Sequence, residues 1–304
     1  MERVSKDDQP DDLGYHTPVF LKEALEFLQI KPGKKYIDCT LGGGGHTEGI
    51  LSRGGLVLGI DTDQEALEYI RKKFQISNDK FRITKGNFRD LKEIAAKNGF
   101  NKVDGILYDL GVSTHQLKSK GRGFSFGREE ELDMRMDQDL EISAKEIINT
   151  YQKENLYEIF TKFGEEKRAW AIADATVRAR QIEPILTTSK LVKLILGVRG
   201  KIGKNDRTHP ATRVFQALRI YVNNELEALQ RSLPQALDLL VKDGRLVVIS
   251  FHSLEDRIVK IYFRKEEKKG RLKILTSKPI RPSEEEVEDN KASLSGKLRA
   301  AIKL

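Results

Sequence analysis

Between Asp38 and Thr47 the chain reads Asp-Cys-Thr-Leu-Gly-Gly-Gly-Gly-His-Thr, a carboxylate followed closely by four glycines. Glycines after a first strand let the backbone turn tightly and come close to a ligand. The dinucleotide fingerprint needs glycines at i, i+2 and i+5. Counted from Gly42 the last falls on Thr47, and from Gly43 on Glu48, so that pattern fails. No Lys-Ser or Lys-Thr follows the glycines, which excludes a P-loop. A carboxylate ahead of such a loop suits a cationic ligand, and S-adenosylmethionine carries both an ammonium and a sulfonium. A plain glycine turn between strand and helix is the alternative.

Three further positions fall at strand ends. Asp61 comes nineteen residues after Gly42, where doubly wound folds place the acid that holds adenosine ribose hydroxyls. It could equally cap a helix, with Asp63 competing for that task. Asn87-Phe88 follows the next apolar run, where a ring could pack on adenine or simply join the core. Asp109 closes Leu107-Tyr108-Asp109-Leu110-Gly111 at the edge where ligands bind in open α/β sheets.

The elements that must carry these residues are legible as period. Thr17-Pro18 opens a helix with apolar residues at Val19, Phe20, Ala24, Leu25 and Leu28, ended by Pro32-Gly33. Strands are predicted at Tyr36–Thr40, Leu56–Ile60, Phe81–Thr84 and Val103–Tyr108, with helices between them. From about Leu117 to Arg207 the alternation stops. Helical stretches follow at Ala144–Thr150, Glu154–Phe163, Lys167–Gln181 and Ser189–Leu196. A long helix from about Ala211, a strand at Arg245–Ile249, a helix from Leu254 and a strand at Leu272–Leu275 come next, and acidic Ser283–Asn290 reads as a surface loop. The fold expected is α/β, a doubly wound parallel sheet with an inserted all-α domain. The expected division is a flexible tail at 1–14, the sheet domain at 15–117 and 208–304, and the insert at 118–207.

The lone cysteine, Cys39, excludes an internal disulfide framework and fits a cytoplasmic setting, and no run approaches a membrane span. The formal net charge is +8, yet Lys167 to Arg219 alone holds twelve Lys/Arg against three acids, an excess of about +9. Such a field attracts nucleic acid, although a solvated helix face is the ordinary reading of any one charge.

Six blocks in order resemble the bacterial small-subunit ribosomal RNA methyltransferase H family (RsmH, also called MraW). They are Gly42–His46, Ile106–Gly111, Arg122–Phe126, Leu132–Asp137, His209–Arg213 and Ser250–Arg257. The resemblance runs from about Tyr15 to the C-terminus. It implies a class I S-adenosylmethionine-dependent methyltransferase that modifies the N4 amino group of a cytidine in the decoding region of 16S ribosomal RNA. It also implies cofactor contacts at Gly44, Gly45, His46, Asp61, Phe88, Asp109 and Gln116. The chain departs from the family pattern at Thr114-His115, where Ser-Pro is usual, and at Asn290–Ser295, where an arginine-bearing segment is usual.

Asp109 is the candidate catalytic group, orienting the amine, or else it only positions the cofactor. Candidate RNA contacts are Lys201, Lys204, Arg213, Arg219 and His252. Arg213 could instead pair within the fold, and His252 could instead form the turn into a helix that Ser253 caps. His209 before Pro210 reads as a helix-entry residue. Asp133 and Asp137 sit among Met and Arg and read as ion-paired carboxylates, so no metal is expected. The expected partner is 16S RNA in the small ribosomal subunit, with no membrane and with a homodimer left open. Competing readings are methylation of another RNA, of DNA or of a basic protein, and a non-catalytic RNA-binding assembly factor. The Asp/Asn-Pro-Pro-aromatic motif typical of DNA amino-methyltransferases is absent after Asp109.

Overall fold

A computed structural model describes residues 18–74, 80–119, 121–200 and 208–304. The apolar runs form strands β1 (Lys35–Asp38), β2 (Leu56–Asp61), β3 (Phe81–Lys85) and β4 (Val103–Asp109). They are followed by β5 (Leu240–Ser250), β6 (Leu272–Ile274) and β7 (Lys297–Lys303). The sheet order is β3-β2-β1-β4-β5-β7-β6, with β7 antiparallel to both neighbours and the pairs among β1 to β5 parallel. Alternate residues bury on opposite faces, as period-2 geometry requires. Ile37, Leu58, Ile106, Tyr108 and Val248 join one core, Tyr36, Val57, Leu107, Val247 and Ile249 the other. Helices Leu91–Lys97, Glu225–Leu239 and Ser253–Lys268 cover the first face, and Leu21–Leu28, Gly45–Ser52 and Gln64–Phe74 the second.

Several boundaries differ from expectation. Thr17 lies outside the described residues, and the first helix begins at Leu21 after Phe20, whose left-handed backbone (φ 55°) donates to Glu286 at 2.6 Å. β7 is unforeseen because Lys297, Arg299 and Lys303 interrupt its apolar pattern, although Leu298 and Ala300 are buried. The expected loop 283–290 contains a helical turn, Glu284–Asp289, capped by Ser283. The long helix from Ala211 is two, Thr212–Asn223 and Glu225–Leu239, broken at Asn224 in the left-handed region (φ 49°).

Between β4 and β5 lie helices Ala144–Thr150, Lys153–Gly164, Ala169–Ile182 and Thr188–Arg199, around a separate core with Leu156, Phe160, Ile172 and Leu191. The only strand-like feature there, among the described residues, is a bridge between Glu131 and Thr187. Helix Thr212–Asn223 buries Val214, Phe215 and Leu218 in this same core. The helical packing unit therefore extends past the expected boundary at 207. Gly164 makes the approach possible, since a Cβ there would lie 2.5 Å from the Arg213 carbonyl oxygen.

Candidate active site

The strand order reverses between β1 and β4, and a cavity of about 500 Å³ opens at the carboxyl ends of the strands there. That is the crevice in which doubly wound sheets bind ligands. The glycine loop forms its floor. Gly44 adopts φ 74°, and a Cβ on it would lie 2.6 Å from the Ile70 side chain, so only glycine fits. Gly45 and His46 begin helix Gly45–Ser52 at the cavity wall.

The loop is held by carboxylates. Asp61 accepts from the backbone N–H of Gly42 at 2.8 Å through one oxygen and from that of Asp63 at 2.9 Å through the other. Burial, aided by neighbouring Asp63 and Asp38, raises its pKa to about 6 against those two hydrogen bonds. Asp38 faces inward, accepting from Thr47 Oγ1 at 2.8 Å and from the Thr40 N–H at 3.2 Å. It is a buckle for the loop, and its field reaches the cavity through both Asp61 and Asp109.

Asp109 ends β4 with its N–H donated to Thr40 Oγ1 at 2.6 Å. Its Oδ1 is buried without a hydrogen-bond partner among the described residues. Burial above all, then the negative charges of Asp38 and Glu255, pushes its pKa well above the carboxylate range. His46 Nε2 lies 3.2 Å from the Val19 carbonyl, which can only accept, so the ring proton sits on Nε2. Burial lowers the His46 pKa to about 4. Nδ1 thus turns a lone pair toward Asp109 Oδ2 at 3.7 Å, and the contact is not an ion pair.

Phe88 lines the cavity and meets Tyr108 edge-to-face, ring centroids 5.5 Å apart. Gln116 closes the far side, accepting from the Ser113 N–H at 3.0 Å and donating to Asp63 at 2.8 Å. Asp63 also receives Arg122 at 2.9 Å, and Arg122 reaches Glu65 at 2.8 Å and the carbonyls of Arg135 and Met136. This buried arginine straps the loop after β4 to the helix after β2. Sequence reasoning passed over it, because an arginine in a Gly-rich segment gives no sign of its partners.

The opposite wall comes from β5 and the helical unit. His252, not Ser253, caps helix Ser253–Lys268, accepting the Glu255 N–H at Nδ1 (3.4 Å). Its Nε2 stands 3.1 Å from Glu255 Oε1, off the line of the N–H bond. Glu255 lines the cavity and accepts the Phe251 N–H at 2.9 Å. Against burial, His252 and Arg219 hold its pKa below the usual value. Arg219 lies in the same wall, paired through Nε (2.8 Å) and Nη2 (2.9 Å) with the two oxygens of Glu225. Glu225, His252 and Glu255 offer ligand atoms within 4.8 Å of one another. The guanidinium already engages both Glu225 oxygens, placing a positive charge where a cation would have to enter.

Arg213 donates to the carbonyl of Glu165, whose carboxylate meets Ser253 and Arg257 of the helix after β5, and it does not line the cavity. Lys201 and Lys204 lie outside the described residues. Much of the basic run is internally matched, as in Arg178–Asp174, Lys190–Glu183 and Arg199–Glu166. Asp133 pairs with Arg135 and Asp137 with Lys85. No helix among the described residues is long and apolar enough to cross a membrane.

The sheet order, the glycine loop and acids at successive strand ends define a class I S-adenosylmethionine-dependent methyltransferase fold carrying a helical insert. The model of the MraW methylase family matches residues 14–304, and the chain belongs to that family. Ribosomal RNA small subunit methyltransferase H of Carboxydothermus hydrogenoformans is 45% identical, covering 95% of this chain and 98% of that protein. The protein of the same name from Thermomicrobium roseum is 47% identical over 95% and 94%. Among solved structures, an rRNA methylase from Streptococcus thermophilus is 9% identical, covers 93% of each chain and gives a TM-score of 0.44.

Proposed function

We propose that this chain transfers a methyl group from S-adenosylmethionine to the N4 amino group of a cytidine in the decoding region of 16S ribosomal RNA, within the small subunit. The observation that carries the reading is Asp109. It is a buried acid with an unpartnered oxygen, set at the switch point between a cationic-ligand pocket and the helical unit. The relatives' names point to the same RNA.

S-adenosylmethionine supplies a methyl carbon already activated by its sulfonium. The residues lining the cavity suit it: Asp61 would hold the ribose hydroxyls, Phe88 would pack on the adenine ring, and Gly44, Gly45, His46 and Gln116 would meet the body of the cofactor. The acid-rich floor suits its two positive centres.

The cytosine amine is a weak nucleophile, its lone pair drawn into the ring. Most of the protein's contribution is therefore alignment, for which proximity alone is worth about 7–11 kcal/mol. Asp109, ionised beside the positive sulfonium, would accept a hydrogen bond from the amine and take the proton the nitrogen must shed. The helical unit presents the unpaired base, and Lys201 and Lys204 are proposed to add RNA affinity by charge. The test is to map methylation on ribosomal RNA from cells lacking the gene. One decoding-region cytidine should lose its N4 methyl group and regain it with purified protein. An unchanged map would remove the assignment, whether another RNA is the substrate or the protein acts without catalysis.

A further inference from the structure

Resting on the reading that the site methylates a cytidine amine, we infer that Arg219 reads the pyrimidine edge of the acceptor base, held for that task by Glu225, and does not neutralise a backbone phosphate. Arg219 sits in helix Thr212–Asn223, which packs with the helical unit, yet its side chain enters the cavity wall and is only 16% exposed. Its bidentate pair with Glu225 uses Nε and Nη2 and fixes the plane of the guanidinium. No hydrogen bond occupies Nη1 among the described residues, which leaves two N–H donors on a rigid fork.

The charges around the fork decide what it can meet. A Glu225 oxygen and a Glu255 oxygen lie within 4.8 Å of each other. The Arg219 charge is thus matched by one carboxylate and flanked by a second. A phosphate approaching it would desolvate beside two carboxylates, whereas a neutral polar edge would not be repelled. Glu255 in turn lies within electrostatic reach of Asp109. The wall therefore runs from acceptors at Asp109 and Glu255 to a donor at Arg219. Cytosine presents the complementary row, an N4 donor followed by acceptors at N3 and O2. Uracil would turn a carbonyl oxygen toward the two acids and an N–H toward the arginine. Arg219 is then a specificity-determining residue and Glu225 its positioning residue.

The test uses the full chain with small-subunit particles carrying either cytidine or uridine at the target position, and S-adenosylmethionine. Wild-type protein should bind the cytidine particle more tightly. Arg219→Lys keeps the charge but loses the fork, and should cut this discrimination about 5- to 150-fold. Cofactor affinity and the salt dependence of particle binding should stay unchanged. A phosphate contact predicts the reverse: discrimination intact, and for the charge-removing Arg219→Gln a log–log salt slope shallower by about one. Either that pattern or equal wild-type binding to the two particles overturns the inference. Should the arginine variants not fold, Glu225→Gln retains the guanidinium but loosens its orientation. Full discrimination in that variant overturns the inference as well. Wild-type protein that binds with discrimination but transfers no methyl to cytidine would instead fail the underlying reading of the reaction.

Discussion

The two walls of the cavity are built on opposite plans. The cofactor side comes from one continuous stretch, β1 to β4, in which each strand end delivers its residue to the same edge. Asp61 and Asp38 are satisfied by backbone N–H groups and Thr47, and Asp63 by Gln116 and Arg122, so negative charge is left over for a cation. The acceptor side is assembled from helix Thr212–Asn223, the start of the next helix and the β5 end. Of its acids, Glu225 is matched by Arg219, and Glu255 stands beside that same guanidinium and His252. One wall holds acids with little cationic match, and the other sets a fixed cation among its acids and is patterned. Electrostatic attraction draws in a ligand, while an ordered row of donors and acceptors discriminates between ligands.

The largest expected effect tests whether the cofactor wall stands by itself. Arg122 is buried against Asp63, and removing one partner of a buried pair costs about 3–5 kcal/mol. Arg122→Ala should lose that much stability in urea unfolding and weaken cofactor binding through Gln116. A loss under about 1 kcal/mol would mean the strap is redundant and the loop holds by its glycines alone.

Asp109 belongs to both walls. Asp109→Asn keeps the shape and one acceptor oxygen but removes the charge that favours the developing positive nitrogen. Groups of this kind are worth about 2.7–4 kcal/mol, or roughly 10²–10³ in rate. Single-turnover transfer at saturating cofactor should fall by that factor with the fold intact. Near-normal turnover there would reduce Asp109 to a cofactor contact.

How much of this was legible in sequence follows the same division. β1 to β4 are short apolar runs bounded by Gly or Asp, and Asp61, Phe88 and Asp109 are legible because a strand end needs no partner to be located. Glu225 and Glu255 are not, and Arg219 is legible only as a candidate RNA contact, because their pairing spans three elements. From sequence Arg219 reads as a phosphate-binding cation, with nothing to show the carboxylates that surround it. The helix break at Asn224 is hidden for a similar reason, since apolar periodicity continues on both sides of it. β7 alternates apolar with cationic residues and is a strand only because β5 and β6 flank it.

A smaller effect separates charge from anchoring on the cofactor wall. Asp61→Ala removes the acceptor for the ribose hydroxyls, and each charge-assisted hydrogen bond contributes about 1.5–3 kcal/mol. Calorimetric titration of the folded variant should show S-adenosylmethionine binding weakened by about that amount. Wild-type affinity would leave Asp61 as a loop anchor only, serving Gly42 and Asp63.

The smallest effect uses pH to ask whether the cofactor wall carries surplus negative charge. Asp38 and Asp61 each have a pKa of about 6 in the ligand-free fold against an ordinary 3.8, with burial the main cause. Values raised on folding give a stability contribution that is full below about pH 3.8 and lost as pH rises through about 6. At neutral pH the ligand-free protein therefore holds ionised acids at some cost, and a bound cation offsets that cost. Below about pH 6 binding must first release a proton from Asp61. His46, with its pKa near 4, stays neutral throughout and adds no competing titration in this range. Affinity for S-adenosylmethionine should thus rise about tenfold, or ~1.4 kcal/mol, between pH 5 and pH 7. Calorimetry in buffers of different ionisation enthalpy should register the released proton at pH 5 and little of it at pH 7. A flat affinity without proton release would mean that Asp61 meets the ribose as a neutral acid. The surplus charge of the cofactor wall would then have to come from its other acids, not from Asp61.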